Sequence, residues 1–276
     1  MTLNLPDKMA SLTRHDLSIL EKIKDPEAGL SVPLVIDESI PRDPYITDPA
    51  QYSRVIERER AIISSIEATE MQMACLSSAS SPLPLLSQYL DCVTRFDELI
   101  EEFPNYASAR NNRAQSLRRI YGDGMLVKST EPLKDEAPIL DPSASDEILI
   151  SASRTILTDL STAISLLTPL TPFAPLSPPA SKTLSQAYTQ RGALYHLTAK
   201  RLAFKESKLR IDESRMEAGW RIVDFEENAS RDFFMGGRHG NEVAKALAVS
   251  ANPTAKLCGE MVKEAIRKEY AVGGDS

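Results

Sequence analysis

Apolar residues recur every three or four positions along most of the chain after residue 50. This is the period of an amphipathic α-helix, in which such residues share one face. The predicted helices cover 52–76, 85–103, 106–121, 146–167, 182–208 and 220–234, followed by a terminal pair over 240–250 and 252–270. No segment shows the alternation of a half-buried strand, so the predicted fold class is all-α.

Proline-rich segments divide the chain. The first 50 residues (1–50) are a predicted arm and linker, with one short helix over 16–24 that ends at Asp25-Pro26, because a residue before proline avoids the helical region. A helical domain is predicted over 51–272, with insertions near 122–145, 168–181 and 207–218. Residues 168–180 hold five prolines in thirteen residues, which argues against helix there. Their Pro-x-x-Pro spacings are compatible with a passive linker or with a ligand for a proline-binding domain.

Small residues recur where a tetratricopeptide-type helix pair needs close contact. That motif has a small residue at position 8 of the first helix, and small or aromatic residues at positions 20, 24 and 27 of the second. Ala114 and Gly192 fit position 8. The second helices supply Cys92, Phe96 and Leu99, then Ile156, Leu160 and Ala163, and finally Phe225 at position 24. We therefore predict three irregular helix pairs in a short right-handed solenoid, with a C-terminal capping helix pair.

The spacing of these repeats is irregular. Ala114 and Ala163 stand 49 positions apart, whereas the motif needs about 19. The extra residues are expected in the turn between the two helices of the second repeat, where added length costs little entropy. Gly236-Gly237 is predicted to end the sixth helix. A generic helical bundle is the alternative, because small residues recur at its close contacts as well.

Several short motifs resemble the tetratricopeptide repeat protein 36 family. They are Asn111–Gln115 (NNRAQ), Gln190–Gly192 (QRG), Asp224–Glu226 (DFE), Ile19–Pro26 (ILEKIKDP) and, most specifically, Asn252–Met261 (NPTAKLCGEM). The resemblance covers about 15–28 and 85–267 and is interrupted by the insertions. It implies three repeats, a C-terminal capping helix and no catalytic activity. It also implies a protein partner, either an Hsp70-type chaperone or a metabolic enzyme, and a link to tyrosine catabolism.

The first helices of such repeats line a concave groove, where we predict that a partner protein binds. The predicted contact residues are Ser108, Asn111, Asn112, Gln115, Arg118, Arg119, Gln186, Thr189, Gln190 and His196. This amide-rich, moderately basic set suits an acidic or extended peptide. A clamp for a chaperone's C-terminal carboxylate needs Lys and Arg where Gln186 and Gln190 stand, so we expect that clamp to be incomplete. Packing or interhelix hydrogen bonding is the alternative role for Asn112 and Arg113.

Charge and cysteine content restrict the classes of function. The net charge of -7 does not suit a nucleic-acid-binding surface. No apolar run approaches the roughly 20 residues of a membrane span, and the N-terminus lacks a signal-peptide pattern. The three cysteines, Cys75, Cys92 and Cys258, are far apart and predict reduced thiols in a cytoplasmic protein, with the nucleus as an alternative location. Cys258 stands beside Leu257, which favours burial.

No catalytic, metal or cofactor site is predicted. The histidines His15, His196 and His239 have no ligand-type residues at a recognised spacing. The acids Glu57, Glu59, Glu67 and Glu70 stand near Arg54, Arg58 and Arg60 and predict a solvated, salt-bridged helix face. The sequence therefore favours a non-catalytic protein–protein interaction module, an adaptor or co-chaperone-like protein. The alternatives are a structural subunit of a larger complex and an enzyme with a scattered site around His196.

Overall fold

The computed structural model describes residues 34–75, 83–129, 139–171 and 174–272. Within these ranges it contains eight α-helices: α1 (Pro49–Cys75), α2 (Leu83–Glu102), α3 (Ala107–Tyr121), α4 (Asp146–Leu167), α5 (Pro178–Leu202), α6 (Ile222–Arg238), α7 (Glu242–Ala251) and α8 (Pro253–Val272). The predicted all-α fold class is confirmed. The helix predicted over 16–24 lies outside the described residues. None of the described helices is long and apolar enough to span a membrane.

The helices stack in chain order, each packing on the next. The successive pairs are α1 with α2, α3 with α4 and α5 with α6, and the first helices α3 and α5 also contact each other. The main apolar core runs from α3 to α7, and a second core joins α1, α2 and the start of α3 around Val55, Phe96 and Leu99. Helix α8 makes few contacts, and its residues 256–264 are exposed.

Two arginines show that the second and third pairs are structural repeats. Arg113 on α3 donates to both carboxylate oxygens of Asp159 on α4 at 2.7 Å, and also to Asp97 on the preceding helix α2 at 2.6 Å. Arg191 on α5 donates to both oxygens of Asp232 on α6 at 2.7 and 2.8 Å, and also to Ser161 on the preceding helix α4 at 3.1 Å. Each arginine directly precedes the small residue of its first helix. We call this arrangement the arginine clasp.

The clasp corrects the predicted phase of the third repeat. Asp232 is the equivalent of Asp159, so the next residue, Phe233, is the equivalent of Leu160. A Cβ added to Gly192 would lie 3.1 Å from the Phe233 ring, which shows that these two residues meet at the close helix contact. The assignment of Phe225 to position 24 was therefore wrong. Phe225 is also buried, but two helical turns earlier.

The prediction that Gly236-Gly237 ends the sixth helix was also wrong, because α6 continues to Arg238. A Cβ on Gly236 would lie 2.6 Å from Thr189 Oγ1 of α5. A Cβ on Gly237 would lie 2.8 Å from the Lys245 backbone of α7. These glycines let α6 approach α5 and α7 closely.

Two predicted insertions pair with each other in a small sheet. Strand β1 (Val127–Lys128) runs antiparallel to β2 (Lys208–Leu209). Arg210 reinforces the junction by donating from its backbone N–H to Leu126 O at 2.8 Å and from its side chain to Asp146 at 2.9 Å. The described part of the insertion 122–145 contributes to the core, because Met125, Leu126 and Val127 are buried. Sequence reasoning did not predict these strands.

The proline-rich segment and the N-terminal linker also meet. Leu176 exchanges backbone hydrogen bonds with Val35 and Asp37 at 2.9 and 3.0 Å, and Ser177 Oγ donates to Arg42 O at 2.8 Å. Ser177 then caps α5, which begins at Pro178. The prediction that residues 168–180 are not helical was thus wrong for residues 178–180, because proline is well tolerated in the first turn of a helix.

The three cysteines are free thiols. Cys92 is buried in the second core, whereas Cys75 and Cys258 are exposed. The expected burial of Cys258 was wrong, because it lies on the exposed part of α8.

Candidate partner-binding groove

A groove with a volume of about 1190 Å³ opens along the first helices of the three pairs. Helix α1 contributes Ile63, Ile66, Glu67 and Glu70 to its lining. Parts of the insertion form a further wall, namely residues 122–125 with Ile139, Asp141, Pro142 and Ala144. The groove is therefore built from all three repeats and from a segment to which the sequence assigned no role.

Seven of the ten predicted contact residues line this groove. They are Asn112, Gln115, Arg118, Arg119, Gln186, Thr189 and Gln190. Gln115 and Gln186 are exposed residues of this lining. An exposed amide can both donate to and accept from a peptide backbone. These two residues are the part of the predicted set that is best placed to touch a ligand.

Asn111 and Gln190 lie beneath the groove surface. Asn111 is 1% exposed and Gln190 is 9% exposed. Gln190 Nε2 donates to Asn111 Oδ1 at 2.8 Å, and Gln190 Oε1 accepts from Arg118 at 2.9 Å. Asn111 Nδ2 in turn donates to Gln186 Oε1 at 3.3 Å. Because this network joins α3 to α5, Asn111 and Gln190 stabilise the contact between the two helices that line the groove.

The two arginines of the groove are paired within the protein. Arg118 makes two hydrogen bonds of 2.8 Å to the carboxylate of Asp123. Arg119 donates to Glu70 Oε1 at 2.8 Å, which links α3 to α1. The groove is therefore less basic than its sequence suggests, and its preference for an acidic peptide is not supported by these two residues.

The Glu70 carboxylate shows how the groove wall is held. Tyr89 on α2 also donates to Glu70. Burial acts to raise the pKa of Glu70, but the hydrogen bonds from Arg119 and Tyr89 outweigh burial, so its pKa lies below the usual value. Glu70 is thus an ionised part of an interhelix contact, and the description of these acids as a solvated face was incomplete.

A smaller cavity of about 250 Å³ continues from one end of the groove. The two spaces share Ile63, Asn112 and Gln186. Ser108, another predicted contact residue, lines this smaller cavity, as does Glu59. Glu59 is only 4% exposed, so its predicted place on a solvated face was wrong.

Comparison with known proteins gives two full-length relatives. Over 267 residues the chain is 38% identical to the L-tyrosine degradation gene cluster protein hmgX of Aspergillus fumigatus, which covers 94% of this chain and 93% of that protein. The chain belongs to the family of that protein. It is also 26% identical over 256 residues to tetratricopeptide repeat protein 36 of Danio rerio, with 92% of each chain covered. No family model and no solved structure matches the chain.

His196 lies outside both cavities in this family member. Its ring packs edge-on against Phe233 of α6, with ring centres 6.0 Å apart, and its buried Nδ1 has no hydrogen-bond partner. Burial lowers its pKa to about 4, and the positive charges of Lys200 and Lys256 act in the same direction. His196 belongs to the contact between α5 and α6, so its predicted place in the groove was wrong.

The groove lining includes residues that sequence reasoning missed. Asp141 and Arg210 come from turns that lie far from the repeat motif in the sequence. The sequence gives little indication that these residues line the groove, because the repeat pattern describes helices and not the long turns between them. No group of three or more His, Cys, Asp or Glu side chains in the described ranges could hold a metal ion.

Proposed function

We propose that this protein is a non-catalytic binding module that holds a segment of a partner protein in its groove. The observation that carries the proposal is the groove itself, which has a volume of about 1190 Å³ and runs along the first helices of three stacked pairs. Helical repeats with this arrangement bind extended segments along such surfaces. The role is that of an adaptor or co-chaperone-like protein.

The chemistry of the groove supports an extended segment as the ligand. Gln115 and Gln186 offer side-chain amides to a peptide backbone, while Ile63 and Ile66 offer apolar contact. Arg118 and Arg119 are occupied by Asp123 and Glu70. The bound segment is therefore recognised mainly through its backbone and apolar side chains along this part of the groove.

The relatives suggest where the module acts. One is named for an L-tyrosine degradation gene cluster and the other for its tetratricopeptide repeats. On this basis we infer that the partner is a metabolic enzyme of L-tyrosine degradation in the cytoplasm, with an Hsp70-type chaperone as the alternative partner. Gln190 is buried and bonded to Asn111 and Arg118, which supports binding that does not use a C-terminal carboxylate clamp.

The test is affinity purification with mass spectrometry from cells grown on L-tyrosine. Gln115→Arg with Gln186→Arg places two large charges on the exposed groove lining. Thr94→Arg with Asn105→Arg adds the same charge at exposed positions outside both cavities. The groove variant should lose the partner that wild type and control retain. An identical set of partners for all three proteins would contradict binding in the groove.

A further inference from the structure

Four of the buried carboxylates in the described ranges have an arginine partner. They are Asp159 with Arg113, Asp212 with Arg154, Glu217 with Arg215 and Asp232 with Arg191. This is what burial requires, because a buried charge without an opposite charge is strongly unfavourable.

Asp43 and Glu59 are the two exceptions among the described residues. They are 5% and 4% exposed, yet no cationic side chain of the described ranges pairs with either. Asp43 Oδ1 accepts from the backbone N–H groups of Tyr45 and Ile46 at 2.8 and 3.1 Å, and its Oδ2 accepts from no described group. Asp43 is thus a buried carboxylate with one oxygen left unbonded.

Glu59 is held in place by neutral groups. Tyr106 Oη donates to Glu59 Oε2 at 2.5 Å, and Asn112 Nδ2 donates to Glu59 Oε1 at 2.8 Å. These bonds orient the carboxylate but supply no positive charge. Both carboxylates are therefore held in position by neutral donors, and no cationic side chain of the described residues pairs with them.

The two carboxylates line the same 250 Å³ cavity at the end of the groove. Its walls include Tyr52, Ile56 and Ile63. The volume is below that of a typical small-molecule pocket, about 300 Å³ or more, and suits a single long side chain. Arg42 and Lys182 also line the cavity, but both are exposed and neither forms an ion pair with the two acids.

We propose that this cavity is a specificity pocket that takes an arginine or lysine side chain of the segment bound in the groove. The inference rests on the proposed function and names the chemistry of the partner. The cationic group meets Asp43 and Glu59, and its aliphatic stem packs along Ile56 and Ile63. The rings of Tyr52 and Tyr106 add a favourable contact for a cation.

The electrostatics of Asp43 agree with this assignment. Burial raises the pKa of Asp43, the backbone N–H groups of Tyr45 and Ile46 oppose that effect, and the nearby charge of Glu59 raises the pKa further. A bound cation would oppose the effect of burial on Asp43 and favour its charged form. The pocket therefore favours a positively charged group of the ligand, whereas a carboxylate clamp favours a negatively charged one.

The pocket can be tested with a displayed library of random dodecapeptides selected on the full chain. Wild type should enrich peptides with a fixed arginine or lysine. An enriched peptide is then synthesised with that residue and with a neutral replacement, citrulline for arginine or norleucine for lysine, and both are titrated by fluorescence anisotropy. Loss of a charge-assisted bond should weaken binding on the order of tenfold or more.

Two variants test whether the preference for the charged peptide arises in the pocket. Asp43→Asn keeps the Oδ1 acceptor and should lose most of the preference for the charged peptide, because only Glu59 then faces the cation. Glu67→Gln removes an exposed acid of the main groove and should retain the preference for the charged peptide.

The outcomes separate this inference from the proposed function. Enriched peptides without a basic residue, or equal binding of both peptides to wild type, would overturn the pocket and leave groove binding intact. The pocket would also be overturned if Glu67→Gln reduced the preference as much as Asp43→Asn. Failure to select any groove-binding peptide would count against both.

Discussion

The second and third helix pairs differ from the first in how their helices are held together. In α3/α4 and α5/α6, an arginine clasp forms an ion pair with a buried aspartate. In α1/α2 the residue equivalent to that aspartate is Arg95, which donates to Ser65 Oγ at 3.0 Å and lies 3.8 Å from the exposed Asp91. The first pair therefore lacks a buried interhelix ion pair at this position.

This difference separates two roles within one repeat architecture. In the second and third pairs, the buried aspartate is paired with an arginine inside the protein. The first pair contributes Glu59, Glu67 and Glu70 to the cavities. The glutamates that line the two cavities thus come from the pair that has no clasp.

The largest expected effect comes from breaking the clasp of the third repeat. Arg191→Met leaves Asp232, whose side chain is 3% exposed, without its cation. Removing one partner of a buried pair costs about 3–5 kcal/mol, which urea unfolding would measure as a lower midpoint. Arg191→Met with Asp232→Leu should recover much of this loss. If Arg191→Met were as stable as the double variant, the ion pair of the clasp would not contribute as described.

A close helix contact in the same repeat should give the next largest effect. In Gly236→Ala the added methyl group meets Thr189 Oγ1 at 2.6 Å and Ala244 Cβ at 3.2 Å. Overpacking of this kind costs about 1–3 kcal/mol. Gly259→Ala on α8 is the control, because nothing lies within 4 Å of its added Cβ. Its expected effect in urea unfolding is neutral or a gain of up to about 1 kcal/mol.

The third repeat also predicts a dependence of stability on pH. Burial lowers the pKa of both His196 and His239 to about 4, whereas an unfolded histidine titrates near about 6.5. Between these values the unfolded chain binds more protons, so stability is complete above about pH 6.5 and decreases as the pH falls towards 4. Because both rings are partly exposed to solvent, we expect on the order of 1 kcal/mol from each.

The measurement compares urea midpoints at pH 7.5 and pH 5. His196→Gln with His239→Gln should show a smaller loss than wild type over this interval. Equal losses in the two proteins would mean that the histidines do not contribute.

The smallest effect is expected in the first repeat. Arg95→Met removes a hydrogen bond to Ser65 and a distant, exposed contact with Asp91. Such surface interactions contribute about 1 kcal/mol or less. A loss of stability as large as that of Arg191→Met in the same urea assay would remove the distinction between the repeats.

The helices could be predicted from sequence because their signals are local. The predicted bounds of α4, 146–167, match the observed helix, since Ser145 caps its start and Thr168-Pro169 follows its end. The phase of the third repeat could not be predicted as reliably. Phe225 and Phe233 are both apolar and both fit a helical face, and only the long-range clasp distinguishes them.

The lining of the candidate groove could be predicted in outline and not in detail. Polar residues such as Asn111 and Gln190 fit the pattern of a groove surface, but the structure buries them between helices. The wall formed by the insertion and the unpaired Asp43 depend on contacts between segments distant in sequence. The spacing of apolar residues along the chain does not reveal which distant segments come into contact.

Site-specific photo-crosslinking in cells grown on L-tyrosine tests the central claim most directly. A photoreactive phenylalanine analogue would replace Gln115 inside the groove or Thr94 on the exposed side of α2. If a partner segment lies in the groove, position 115 should give a defined covalent adduct with a protein that position 94 does not capture. Adducts of the same protein from both positions, or from position 94 alone, would contradict the account.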